Sequence, residues 1–238
     1  MKPWLALIAF PLIAAPQPEH CGVPTLTLRV YDLAGLRKSD LAEALIQTAR
    51  IFSAAAVDLS WTAGDPAVPE AHLLDLSVPT TTLAAPSRVI VARIIHERTR
   101  GFPPEALGWS LPAAQTGAHV TIFLDEIKRR QAEVGMAVPC LLGYALAHEL
   151  GHVLMGSSAH APRGLMRAEW GRTELDRIQH GALKFTESEA TAIRASLLAA
   201  NNGLGPISSR VLDELLRIGP AGLRAQSDAI RKPGGRKK

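Results

Sequence analysis

The sequence predicts an α+β protein, and three observations carry that expectation. Strand-like runs at 24–33, 57–61 and 87–95 are interrupted early by one helical pattern over about 40–55. Two further short strand signals, 107–111 and 119–124, come just before a long apolar helical stretch that reaches residue 155. After about residue 170 the strand signals stop and only helical patterns remain, giving a smaller helical C-terminal part.

Taken in order, Thr25-Leu26-Thr27-Leu28-Arg29-Val30-Tyr31 alternates and is rich in strand formers. Ser39-Asp40 then precede Leu41, Ala44, Leu45, Thr48, Ala49, Ile51 and Phe52, a spacing that suits an amphipathic helix. Val57 to Trp61 reads as a second strand, ended by Gly64-Asp65-Pro66, and Leu73 to Val78 is a weaker strand signal. Ser87-Arg88-Val89-Ile90-Val91-Ala92-Arg93-Ile94-Ile95 is the strongest. Leu107-Gly108-Trp109-Ser110-Leu111 lies between Pro104 and Pro112, and flanking prolines suit an edge strand. His119 to Leu124 is another β-branched run, followed by a polar helix from Asp125 to Val134. Thr186 and Glu189 have capping-box spacing ahead of an Ala- and Leu-rich helix ending near Ala200, and Val211–Ile218 is a further helical stretch.

Composition excludes several classes. The 238 residues carry 47% apolar and 20% charged side chains, ordinary for a folded domain. The net charge of +4 belongs to residues 201–238, with 8 Lys/Arg against 3 Asp/Glu; the rest is nearly neutral. A basic tail is therefore expected, not a nucleic-acid-binding face. At the N-terminus Lys2 precedes the apolar run Trp4–Ala15, which has the length of an export signal's core and is too short to span a bilayer. The competing reading is a disordered or helical N-terminus of a cytosolic protein. The expected division is a signal peptide at 1–20, a folded domain at 21–200, and a helical then basic tail at 201–238, with a secreted or periplasmic location. Cys21 and Cys140 are the two cysteines and form the one possible disulfide within the chain, although a free buried Cys140 fits equally.

The chemistry centres on Ala147-His148-Glu149-Leu150-Gly151-His152. A helix turns once per about 3.6 residues, so His148 and His152 share a face and can grip one zinc ion. Glu149 between them can reach a water bound to that ion. With 8 His and 13 Glu in 238 residues, the pattern is expected by chance only about 0.015 times. The residues before it, Cys140 to Ala147, are apolar and open just after Pro139, as a buried helix would. A catalytic zinc normally has three protein ligands. The third could be His160, another histidine or a downstream carboxylate. Gly156 is placed to end the helix and turn the chain back, which would bring His160 under the metal.

Residues 148–166 resemble the zincin metallopeptidases, the metzincin clan in particular: a two-His-and-Glu helix, a helix-ending Gly, a third His, then a methionine in a tight turn. The resemblance implies His148, His152 and His160 as zinc ligands, Glu149 as the catalytic carboxylate, and Met166 in Gly164-Leu165-Met166 as the turn methionine. It also implies a zincin-like fold. There a small twisted mixed sheet with an antiparallel edge strand packs on the N-terminal helix and the active-site helix, and Gly108–Leu111 holds the substrate. Two details differ from the clan. Three residues separate His152 from Gly156 and three more separate Gly156 from His160, where two and two are usual. No tyrosine follows Met166, and Trp170 is the nearest aromatic residue.

The expected function is exported zinc metallopeptidase. A water on the zinc attacks a scissile carbonyl while Glu149 takes its proton and returns it to the leaving amine. Two alternatives stand beside it. One is a gluzincin arrangement with a later Glu as third ligand, for which Glu169, Glu174, Glu187 and Glu189 are available. The other is an exported zincin fold that binds zinc or protein without turnover. The expected partner is a peptide or protein substrate, with no nucleic acid, no membrane span and a monomeric state. His20, His72, His96 and His180 lie outside metal spacing, and His119 and Tyr144 read as packed or surface residues.

Overall fold

In the computed structural model, which describes residues 22–64, 88–98, 102–103, 105–111 and 119–201, five strands form one mixed sheet. The chain runs β1 (Thr25–Asp32), α1 (Lys38–Ser53), β2 (Asp58–Ala63), β3 (Arg88–Ile95), β4 (Gly108–Leu111), β5 (His119–Phe123), α2 (Leu124–Val134), α3 (Val138–Met155), α4 (Arg172–Gln179) and α5 (Glu187–Asn201). The strand order is β2-β1-β3-β5-β4. Every neighbouring pair is parallel except β4 with β5. The expected strand at Leu73–Val78, the expected helix at Val211–Ile218, Cys21, the export signal and the basic tail all lie outside the described residues.

Side-chain alternation decides which face of the sheet is covered. Leu26, Leu28 and Val30 of β1, Ile90, Ala92 and Ile94 of β3, and Val120 and Ile122 of β5 are buried in one core. Against them lies α1 with Ala44, Leu45, Thr48, Ile51 and Phe52 on its buried face. Thr48, the polar member of that face, donates its hydroxyl to the Ala44 carbonyl at 2.9 Å and lies 3.1 Å from the Gly143 carbonyl of α3. The two helices are thereby tied without an unsatisfied hydroxyl.

From Leu141 to Leu154 every residue of α3 is buried, so its residues face protein all round. Its 18 residues reach a mean hydropathy of 1.2, apolar and long enough to cross a membrane by length and composition alone, but 83% of the stretch is buried inside the fold. It is the core helix of the domain. Pro139 sits in its first turn, and Gly156 caps its end in the left-handed conformation (φ 62°).

Among the described residues, the C-terminal part contains a helix, α4, that the sequence does not suggest. The helix α4 has only Glu174 and Ile178 buried, too few apolar positions to leave a periodic signal. Its entry is held by the Glu174 carboxylate, which accepts the Gly171 N–H at 3.0 Å. The helix α5 starts with the expected capping box: the Glu189 carboxylate accepts the Thr186 N–H at 2.7 Å. Arg194 of α5 reaches back to the Ala55 carbonyl at 2.9 Å, just after α1.

Candidate metal centre

His148 and His152 stand one turn apart on α3, and their Nε2 atoms are 3.0 Å from each other. His160 arrives from the loop beyond Gly156 with its Nε2 3.3 Å from that of His152. One nitrogen from each ring lies within 4.8 Å of the others, which makes the three a group able to hold a metal ion. Ligands at about 2.0–2.1 Å around a tetrahedral ion stand about 3.3 Å apart, so the spacing suits a shared metal. The longer loop is absorbed by its own hydrogen bonds. The Ser157 N–H returns to the His152 carbonyl at 3.2 Å, the Ala159 N–H to the Ser157 hydroxyl at 3.1 Å, and the Ala161 N–H to the Met166 carbonyl at 2.8 Å.

The other ring nitrogens explain why these two close approaches point to a cation. His148 Nδ1 lies 2.9 Å from the Leu165 carbonyl, and His152 Nδ1 lies 2.8 Å from the Ser157 carbonyl. A carbonyl can only accept, so each Nδ1 carries the proton. Burial pushes the His148 pKa down to about 3, with His152 reinforcing the shift, and burial likewise lowers His152 and His160. Neutral rings protonated at Nδ1 leave bare lone pairs at Nε2. Two such lone pairs 3.0 Å apart repel unless a positive charge sits between them, and the same carbonyls orient the rings toward it.

Beneath the histidines lies an apolar floor. Met166 is buried next to Gly151, where an added Cβ would come within 2.6 Å of the Met166 sulfur and 2.9 Å of the Phe185 ring. A side chain at 151 would therefore push the turn away from the helix. The turn is fixed further by the Leu165 N–H to the Lys184 carbonyl at 3.0 Å. Trp170 adds a second donor to the Leu165 carbonyl, its Nε1 at 3.1 Å, and sets its ring edge-on to His148 at 5.8 Å.

Glu149 faces the edge strand. It is buried, and its Cγ would lie 2.9 Å from a Cβ added at Gly108, so only glycine there lets β4 come this close. Ser110, two residues on and on the same side of the strand, hydrogen-bonds the carboxylate. Burial outweighs that bond and pushes the Glu149 pKa up to about 7.

The remaining candidates go elsewhere. Glu174 accepts from Gly171 and from Arg167 (2.8 Å), Glu189 caps α5, Glu187 pairs with Arg194 at 3.0 Å, and Glu169 is exposed. His96 pairs with Asp125 at 2.8 Å, His180 is exposed beside Asp176, and His119 is buried at the start of β5. Tyr144 is a core residue, ring edge-on to Trp170, and burial pushes its phenol up to about 12, so it exchanges no proton near neutral pH. Cys140 is a free thiol among the described residues. Gly108 and Ser110 belong to the strand expected to hold substrate, but the sequence does not mark their contact with Glu149; Trp170 and the carbonyls of Ser157 and Leu165 join the site without having been singled out at all. The Gly-x-Ser alternation in β4 is the one signal that could have pointed to the first two.

Comparison with protein families and with curated proteins finds no match. Among solved structures, the chain is similar to an archaemetzincin from Methanopyrus kandleri at 15% identity, over 72% of this chain and 95% of that one, with a TM-score of 0.46. It is also similar to an archaemetzincin from Archaeoglobus fulgidus complexed with malonate, at 15% identity over 70% and 99%, with a TM-score of 0.40. Identities and TM-scores this low leave the function to be read from the site itself.

Proposed function

We propose that the protein is a zinc-dependent peptidase, with His148, His152 and His160 holding the metal and Glu149 serving as general base. The observation that carries this reading is the convergence of three imidazole nitrogens, two of them with their protons committed to carbonyls on the far side of the ring. Three neutral imidazoles suit zinc and leave it an open coordination position. When bound, zinc supplies a Lewis acid and an acidified water near neutral pH.

The protein's own groups do the rest. Glu149, buried against β4, takes a proton from the attacking water and gives it to the departing amine. Ser110 orients that carboxylate by donating to it. Because β4 is the edge strand of the sheet among the described residues, an extended peptide can add beside it through main-chain hydrogen bonds. The contact between β4 and Glu149 keeps such a peptide close to the base. Leu165 and Ser157 hold the imidazoles in one tautomer, and Met166 fills the space below.

Export is part of the proposal, carried by Lys2 and the apolar run Trp4–Ala15; a mature chain beginning near residues 15–20 outside the cytoplasm is the expected product. Zinc analysis of the purified protein, paired with cleavage of a diverse peptide library, tests the activity. About one zinc per chain, hydrolysis abolished by chelator and hydrolysis restored by zinc are expected. A protein that holds zinc fully and cleaves nothing is a binder instead.

A further inference from the structure

Two apolar side chains on β4 are exposed where a core-forming strand would cover them. Trp109 is 43% exposed and Leu111 is 45% exposed, while their neighbours Gly108 and Ser110 face inward onto Glu149. Strand alternation places 109 and 111 together on the outer face, about 7 Å apart. Trp109 does not hang free. Its ring lies 5.1 Å from Phe102, which in turn lies 5.4 Å from Phe123 of β5, so an aromatic row anchors it to the sheet. An anchored aromatic loses little conformational freedom when it is covered.

Resting on the peptidase reading, we infer that Trp109 and Leu111 set substrate preference by selecting extended peptides with apolar side chains at two positions spaced two residues apart. The physical reason is the strand period. A peptide added alongside β4, the edge strand among the described residues, alternates as β4 does, so every second residue falls on the outer face beside Trp109 or Leu111. The residues between them face the side on which Glu149 lies. Position in the peptide thus sorts side chains into those near the reacting bond and those read by the apolar pair. These outer contacts are made before and during reaction alike, so they act on KM.

The test starts from the best-cleaved member of a randomised octapeptide library, with each position replaced in turn by Ser. The zinc-loaded parent is expected to show two sensitive positions, two residues apart, each raising KM roughly tenfold with kcat little changed. Trp109→Thr and Leu111→Thr keep strand-forming residues on β4, and each should erase the sensitivity at one of the two positions. Trp61→Thr, on β2 at the opposite edge of the sheet, should leave the pattern intact. A scan without such a pair, or a pair that survives both β4 variants, overturns the inference while peptide cleavage stands. A parent that cleaves no library member removes the peptidase reading and this inference together.

Discussion

Ser110 of the edge strand hydrogen-bonds the carboxylate of Glu149 on the core helix, linking the strand that would receive a peptide to the group that would act as base. Ser110→Ala removes the donor and leaves the strand. It should lower kcat about tenfold, the worth of one hydrogen bond to a charged group, with zinc content and KM unchanged. Ser110→Thr keeps the hydroxyl and should recover most of the rate. Equal activity in parent and Ala variant would remove Ser110 from the account.

Gly108→Ala probes the same junction by volume. The added methyl group would meet Glu149 Cγ at 2.9 Å and Ile122 Cδ1 at 2.8 Å, and the Thr121 carbonyl is 3.0 Å away. Overpacking of this kind costs about 1–3 kcal/mol. Thermal unfolding should show a lower Tm, and activity should fall further than in Ser110→Ala because the carboxylate itself is displaced.

His160 separates the three-histidine site from one completed by a carboxylate. His160→Ala should lower zinc affinity nearly as much as His148→Ala when both are titrated against a competing chelator. Zinc affinity unchanged in the His160 variant would send the search to Glu174 and Glu187, which here are bonded to Gly171, Arg167 and Arg194.

The metal-free protein should carry a pH signature of the buried Glu149. Its folded pKa of about 7 lies above the ordinary 4.5, because burial disfavours the charge. The favourable contribution of the protonated form is therefore complete below about 4.5 and lost as pH rises through about 7. Glu149→Gln is neutral throughout, so the metal-free variant should be the more stable at pH 8, by a margin of order 3 kcal/mol at most. That margin should shrink to nothing near pH 4. The depressed histidines titrate in both proteins and cancel in the comparison. Denaturant melts at the two pH values measure it.

Much of this architecture is legible because its signals reside in side chains. The alternation of Leu26, Leu28 and Val30 marks a one-sided strand, the prolines around Gly108–Leu111 mark an edge, and the unbroken apolar stretch before His148 marks a core helix. The three histidines and Gly156 are legible for the same reason. What escapes is carried by backbone or by packing. The Ser157 and Leu165 carbonyls fix the imidazoles, yet any residue could supply them. Gly108 and Ser110 matter only because β4 lies on α3, a tertiary fact. The helix α4 is missed because two buried residues in eight make no stripe.

Glu149→Gln, assayed for zinc and for peptide hydrolysis on the same sample, addresses the central claim most directly. The substitution keeps the size of the side chain and removes its capacity to take a proton. Zinc should stay at about one per chain, bound by histidines that the change does not touch, while kcat falls by at least the roughly 100-fold expected from losing a general base. A Gln variant that hydrolyses peptides at the parent's rate with its zinc in place would contradict the account.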